Sequence, residues 1–496
     1  MKFEPGQHIH LVGIGGSGMS AIARILLEQG YTVSGSDRGA NDLTEALSRD
    51  GATVYKGHEA AYTAGADMLL ITSAVKDDHV EVAAARAAGI PVYKRQDVMS
   101  ALMEGKKVIA VAGTKGKTTT TSMIVHILRE CGQDPSYIVG GVLGNTGTNA
   151  GVGKGEWFVV EADEYDNMFL GLKPDIAVIT NIEWDHPDFF KTPDDMVESF
   201  RKFVHLLDEK NPVGGLLACA DDPITREFGE ARWNDFRPVS TYGLHEAARF
   251  RAKNIRVESK VTFFGIGYKD IGDAVVQNLQ IMLPGIHNIQ NALGAMLAVE
   301  NAMNMGSRDN GKLVSDCTKL ALLSFKPTAR RFDLRADVGE VAVIDDYAHN
   351  PMSIRATLDA ARQRYPDREL WAVWQPHTYS RTQALFDDFV KSFDAADHVL
   401  ITDIYAAREN PIPGVNSEGV VAAINRRMLN DSSLPLSVHG EGAGGRGSAR
   451  HTPTFADAVA ILRAEVKSPA VILIMSAGDA PQIGIDYLKS LQGEGA

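Results

Sequence analysis

The sequence predicts an α/β protein of three units, each a parallel sheet with crossover helices. Three observations carry this. The chain has 496 residues, enough for about three domains at roughly 100–200 residues each. Short apolar runs alternate with stretches of helical period along its length, the pattern of strands joined by crossover helices. Two glycine-rich turns each stand between such a run and a helix. The units are expected over residues 1–105, 106–326 and 327–496.

In the first unit HIHLVGI (8–14) reads as a strand, SGMSAIARILLEQ (17–29) as a helix, and YTVSGSD (31–37) and MLLITSA (68–74) as further strands. The second opens with the strand VIAVAGT (108–114), a glycine-rich turn and the helix 118–131. WFVVEAD (157–163) and DIAVITNI (175–182) follow as buried strands, VTFFGIGY (261–268) and AVVQNLQIMLP (274–284) as antiparallel ones, and 285–305 as an amphipathic helix. The third begins near FKPTARRFD (325–333) and carries the strands 340–348, 369–376, 398–405 and 470–478. Glycine-rich 436–454 is expected to be a surface loop, having too little apolar surface to order it.

Composition narrows the function. Hydrophobic residues make up 44% and charged residues 23%, as in ordinary globular protein. The net charge of 50 − 63 = −13 argues against a coat for nucleic acid or anionic membrane, and neither is expected as a partner. No apolar run reaches the ~18 residues of a spanning helix, and MKFEPGQHIHLVGIGG lacks the basic and apolar regions of a leader. Cys131, Cys219 and Cys317 lie far apart, with neither metal spacing nor a disulfide framework, which fits a reducing cytoplasm.

Two motifs have the form of phosphate-binding turns. Gly13-Ile14-Gly15-Gly16-Ser17-Gly18 fits a diphosphate turn at a helix N-terminus, and Asp37, 19 residues after Gly18, stands where a ribose contact belongs. A nicotinamide cofactor and a UDP-sugar both suit it. Gly113-Thr114-Lys115-Gly116-Lys117-Thr118 is more specific: backbone N–H groups cradle oxygens, Lys117 meets the β- and γ-phosphates, and Thr118 offers a hydroxyl to Mg²⁺. Glu161 and Asp185-His186 end later strands, where side chains face the ligand crevice and can hold metal. Asn288 can cap its helix or read a base, and Arg331 at the second junction can reach phosphate. In the third unit His349, His377 and Arg381 follow strands, Arg381 suiting a carboxylate.

Taken in order, GIGGSGMSAIA (13–23), GTKGKTTTTSM (113–123), EADEYD (161–166), TNIEWDH (180–186), GIHNIQNA (285–292), TARRFD (328–333), DDYAHNP (345–351) and QPHTYSRT (375–382) resemble the Mur ligase family over nearly the whole chain. The resemblance implies a UDP-sugar-binding Rossmann-like domain, a central P-loop ATPase domain and a C-terminal amino-acid-binding domain of dinucleotide-fold type. It implies ATP-dependent ligation in cytoplasmic peptidoglycan precursor synthesis, by a monomer or homodimer. DDYAHNP, QPHTYSRT and TDIYAARENPIPG (402–414) point to L-alanine as the amine and UDP-N-acetylmuramate as the acid, joined through an acyl phosphate.

By the same resemblance Gly113, Thr114, Lys115, Gly116, Lys117, Thr118, Thr119, Asn288, Asn291, Arg331 and Asp345 would hold ATP. Gly15, Gly16, Ser17, Gly18, Asp37, Ser73 and Asn149 would hold the UDP-sugar. Tyr347, His349, His377, Tyr379 and Arg381 would form the amino-acid pocket, and Thr118, Glu161 and His186 would bind Mg²⁺. Lys117, His349 (as base) and Arg381 would be catalytic. Lys115 and Asn350 stand where the family usually has histidine, and Asp78-His79-Val80 lies near a usual Asn-Pro-Glu. The alternatives are a recycling ligase that adds a preformed tripeptide, a nicotinamide-dependent oxidoreductase, and a nucleotide switch without turnover.

Overall fold

The computed structural model describes residues 3–492 apart from 73–74, 188, 208–214, 231–238, 259–260, 270–274, 304–314, 408 and 431–447. Three sheets follow one another along the chain. The first is all parallel. It contains β1 (His8–Val12), β2 (Thr32–Asp37), β3 (Thr53–Lys56), β4 (Met68–Ile71) and β5 (Val92–Lys94), in the order β3-β2-β1-β4-β5. Helices α1 (Ser17–Glu28), α2 (Asp42–Arg49), α3 (Val80–Ala87) and α4 (Arg95–Leu102) join them. The order reverses at β1, so the turn after β1 opens onto the crevice where such sheets bind ligands.

The second sheet has ten strands. β6 (Lys107–Ala112) leads through the phosphate loop into α5 (Lys117–Glu130). β7 (Ser136–Ile138), β8 (Ala150–Gly151), β9 (Trp157–Glu161), β10 (Ile176–Ile179), α6 (Pro193–Val204), β11 (Gly215–Cys219), α7 (Pro223–Glu230) and β12 (Val239–Gly243) follow. β11-β10-β6-β9-β7 form its parallel centre. β13 (Phe250–Glu258), β14 (Val261–Tyr268) and β15 (Val275–Ile281) extend it; β14 and β15 pair antiparallel as expected, and β13, not named among the expected strands, pairs antiparallel with β14. Then α8 (Ile286–Ala302) packs on α5, and α9 (Asp316–Ser324) closes the unit.

The third sheet runs β16-β17-β21-β18-β19-β20. Its strands are β16 (Asp333–Val338), β17 (Val341–Asp346), β18 (Glu369–Trp374), β19 (His398–Ile401), β20 (Ala449–His451) and β21 (Ala470–Met475). Helices α10 (Pro351–Arg364), α11 (Tyr379–Ala384), α12 (Phe386–Val390), α13 (Ser417–Asn430), α14 (Phe455–Glu465) and α15 (Pro481–Gln492) lie between or after them. All six residues of β21 are buried, as are Ile176–Ile179 of β10. Continuous apolar runs of this kind belong to parallel strands covered on both faces.

Two expectations need correction. Ala449–His451 lie inside the expected loop 436–454 yet pair with β19 as an edge strand; backbone hydrogen bonds to a neighbour suffice for so short a strand. Residues 436–447 lie outside the described residues. The cysteines do contain a disulfide: Cys131 at the end of α5 and Cys317 in α9 are joined, 186 residues apart in sequence. The packing of α9 on α5 creates that proximity, and sequence spacing carries no trace of it. Among the described residues no helix is long and apolar enough to cross a membrane.

Candidate active site

The phosphate loop is shaped by glycine and braced by the end of β10. Gly113 and Gly116 have φ of +133° and +83°, and a Cβ at either would collide with Thr180 or Asn291. Asn181 accepts from the Lys115 N–H (2.9 Å) and donates to the Lys115 carbonyl (3.0 Å). Lys117 Nζ donates to the Gly113 carbonyl (2.6 Å) and to both oxygens of Glu164 (2.8 and 3.0 Å). Burial alone would lower the Lys117 pKa, but Glu164, Asp163 and Glu161 outweigh it and raise it. Lys117 therefore carries a firm positive charge where phosphates are expected.

Hard oxygen donors meet beside this lysine. The Thr118 hydroxyl donates to Glu161 Oε1 (2.9 Å), and Glu161 Oε2 accepts from the Gly140 N–H (2.6 Å). A hydroxyl and a carboxylate from separate elements suit Mg²⁺. His186, at φ +56°, has Nε2 3.8 Å from Glu164 Oε1. Arg331 crosses the junction to donate to the Thr118 hydroxyl (3.3 Å).

Asp185 joins two domains. One oxygen accepts from Lys115 Nζ (2.8 Å), the other from Arg381 Nη2 and Nε (3.0 and 3.2 Å). Burial would raise the Asp185 pKa, yet Lys115 and Arg381 hold it well below the usual carboxylate range. Burial lowers that of Lys115, with Asp185 opposing.

His349 and His377 of the third unit take opposite tautomers. His349 Nδ1 is 2.7 Å from the Tyr347 carbonyl. A carbonyl only accepts, so Nδ1 carries the proton and Nε2 keeps its lone pair. His377 Nδ1 faces Arg381 Nη1 at 3.0 Å; a guanidinium only donates, so Nδ1 accepts and Nε2 carries the proton. Burial first and Arg381 second push the His349 pKa well down and that of His377 to about 4. Both rings are neutral near pH 7.

These groups share one cleft of about 1570 Å³. Gly15, Gly16, Ser17 and Gly18 of the first unit line it, with Thr114–Thr119, Asn149, Glu161, His186, Asn288, Asn291, Arg331, Asp345, Tyr347, His349, His377 and Arg381. Family profiles match the chain in three successive pieces: "Mur ligase family, catalytic domain" over 8–107, "Mur ligase middle domain" over 111–299, and "Mur ligase, glutamate ligase domain" over 330–478. A UDP-N-acetylmuramate–L-alanine ligase from Roseiflexus sp. (strain RS-1) is 40% identical over 97% of this chain and 99% of its own.

The chain belongs to the Mur ligase family.

A ligase of the same name from Syntrophus aciditrophicus is 38% identical over 98% of this Mur ligase and 94% of its own length. Among solved structures, UDP-N-acetylmuramate–alanine ligase from Thermotoga maritima aligns with a TM-score of 0.78 at 25% identity, covering 98% of this chain and 99% of its own. A murein peptide ligase from Psychrobacter arcticus aligns at 0.67, also 25% identical, with the same coverage.

Several expected site residues are engaged within the Mur ligase itself. Asp37 accepts from the Gly15 N–H (2.9 Å) and, like Gly113 and Tyr379, does not line the cleft. Asn149 donates to the Ser17 carbonyl and the Ser20 hydroxyl (2.9 and 3.0 Å), clamping the first unit to the second. Asn291 accepts from Thr120 (3.2 Å) and donates to Asn288 (3.2 Å), which donates to the Pro284 carbonyl (2.7 Å). Arg381 spends Nε and Nη2 on Asp185. Ser73 lies outside the described residues. Sequence reasoning passed over Arg95, Asn181, the pairing of Glu164 with Lys117 and the bridging role of Asp185. Arg95 lines the cleft against Gly18, 4.0 Å from Asp163, with a buried, unpartnered Nε. Only EADEYD and TNIEWDH, as acidic and polar strand ends, pointed toward Glu164, Asn181 and Asp185.

Proposed function

We propose that this Mur ligase uses ATP to join L-alanine to the lactyl carboxylate of UDP-N-acetylmuramate, releasing ADP and phosphate. It would work in the cytoplasm in peptidoglycan precursor synthesis, as a monomer or homodimer. One observation carries the reading: a diphosphate turn, a phosphate loop and a pair of neutral histidines line a single cleft. The names of the full-length relatives support the choice of substrates.

A carboxylate resists attack by an amine because its leaving group would be oxide. Transfer of the γ-phosphoryl group gives an acyl phosphate, whose leaving group is phosphate. Phosphoryl transfer asks mainly for positioning and charge neutralisation. Lys117 supplies charge at the β- and γ-phosphates, the Gly116 and Lys117 N–H groups at the start of α5 supply donors, and Arg331 adds a cation from the third unit. Thr118, Glu161 and His186 would hold Mg²⁺, which when bound offsets phosphate charge. His349 Nε2 carries the lone pair that removal of the alanine ammonium proton requires, with a basicity that burial and Arg381 lower, and His377 Nε2–H is a donor. The amine then attacks the acyl carbonyl, and the tetrahedral intermediate collapses to amide and phosphate. Arg95 places a cation between the α1 turn and Asp163, where the UDP-sugar must pass toward ATP.

ADP release with UDP-N-acetylmuramate and a panel of amines tests this. Release with L-alanine is expected; release only with a preformed tripeptide would replace it with the recycling reaction. Carboxylate-¹⁸O substrate should pass label to the liberated phosphate, and unlabelled phosphate would exclude the acyl phosphate. Reduction or oxidation of a nicotinamide cofactor would restore the oxidoreductase alternative.

A further inference from the structure

Three ligand-type side chains converge at the carboxyl edge of the first sheet, outside the cleft lining. His58 follows β3, His79 precedes α3, and Glu81 lies in the first turn of α3. One donor atom of each lies within 4.8 Å of the other two. His58 Nδ1 stands 3.1 Å from Glu81 Oε1. Two ligands bound at about 2.0–2.1 Å to one tetrahedral ion are separated by a little over 3 Å. The rings of His58 and His79 meet edge to face at 4.7 Å.

A second layer holds the carboxylate. Glu81 is fully buried. Its other oxygen accepts from the Ser36 hydroxyl (2.8 Å) and pairs with His10 Nε2 (3.0 Å), while His10 Nδ1 bonds Ser34 Oγ (2.7 Å). Outer partners of this kind orient metal-ligating groups. His58 Nδ1 also meets the Ser36 hydroxyl (3.0 Å), and His79 Nδ1 caps α3 by accepting from the Glu81 N–H (3.3 Å), which holds the His79 ring beside the carboxylate and leaves Nε2 as its second donor atom. His58 and His79 are only partly buried, which leaves an entry path.

We propose that His58, His79 and Glu81 bind a divalent first-row transition cation of the Zn²⁺ type, with water completing the coordination. Two imidazoles and a carboxylate suit a borderline ion, whereas Mg²⁺ prefers mainly oxygen donors, such as the Thr118 hydroxyl and the Glu161 carboxylate. Binding displaces the proton His58 Nδ1 shares with Glu81, which passes to solvent. The site stands independently of the ligase reading.

The test titrates Co²⁺ and Zn²⁺ into the full-length chain with millimolar Mg²⁺ present to saturate the oxygen site. Expected are one equivalent bound by equilibrium dialysis and the visible d–d absorption of low-coordinate Co²⁺. His79→Asn and His58→Asn should each weaken binding by at least about tenfold, and His186→Asn should leave it unchanged. Far-ultraviolet circular dichroism checks the fold of each variant. His79→Cys keeps a ligand, so it should retain Co²⁺ and add a thiolate charge-transfer band. The proposal fails if the parent binds no Co²⁺, if folded His79→Asn binds as tightly as the parent, if folded His79→Cys shows no thiolate band, or if His186→Asn abolishes binding.

Discussion

At the scale of single residues, protonation states are set by partners more than by residue type. The carbonyl of Tyr347 and the guanidinium of Arg381 place the His349 and His377 protons on opposite nitrogens, so His349 presents an acceptor and His377 a donor. Lys117 keeps its charge despite burial because three carboxylates surround it. Lys117→Ala is expected to lower kcat by about 10²–10³-fold, the scale of losing one preorganised stabilising donor; steady-state turnover within a few-fold of the parent would remove Lys117 from the mechanism. For Arg381→Ala, the KM for L-alanine should rise far more than that for ATP. Equal rises would assign Arg381 to domain bridging through Asp185 alone.

Acid stability belongs to this scale too. His377 falls from 6.5 to about 4 on folding, so between those values the unfolded chain holds the extra proton and stability drops as pH falls. Asp345 rises from 3.8 to about 6 through burial, with Arg330 opposing. There the folded chain holds the extra proton, and stability grows as pH falls. The two slopes offset each other across the same window. Asp345→Asn removes one of them, so its melting temperature should fall more steeply than the parent's from pH 6.5 to 4. Parallel melting curves would show that Asp345 contributes no such offset.

At the scale of elements, helix termini position the site. Asn350 caps α10, accepting from the Ser353 N–H (3.0 Å) while the Ser353 hydroxyl answers its own N–H (3.3 Å). That cap fixes the turn carrying Tyr347 and His349, and explains why asparagine serves where the family usually has histidine. Asn350→Ala should cost about 1 kcal/mol, read as a lower urea midpoint with an unchanged slope; an unchanged midpoint would show that the cap contributes nothing. Lys115, the other departure, is accommodated by Asp185. In α5 Thr121 and Ser122 satisfy their hydroxyls locally, donating to the carbonyls of Lys117 and Thr118 (2.7 Å each), while Thr118 and Thr120 turn theirs to Glu161 and Asn291.

At the scale of the whole molecule, a few polar contacts hold three domains around the cleft. Asn149 grips α1, Asp185 holds Arg381, and Ser122 meets Thr328 across the second junction (2.9 Å). Removing one partner of a buried charge cluster leaves the others uncompensated. Asp185→Asn is therefore expected to separate the third domain from the second. Small-angle scattering should then show a larger radius of gyration than the parent's with an ATP analogue and UDP-N-acetylmuramate present. Identical profiles would mean that Asp185 does not set closure.

The phosphate loop, the three α/β units and their central strands were legible because each is local. A glycine-rich turn between strand and helix, or an unbroken apolar run such as AVILIM (470–475), declares itself within ten residues. Short edge strands such as β20 did not, since backbone pairing with a neighbour, and not their own pattern, makes them strands. The same limit governs the site. Lys117 and Thr118 could be named from their motif, but the pairing of Lys117 with Glu164, the bridge through Asp185 and the bond between Cys131 and Cys317 join residues 47 to 196 positions apart. A linear pattern records which groups a chain carries. Which of them meet, and so which are charged, neutral or already engaged, follows from distances that only the packed domains create.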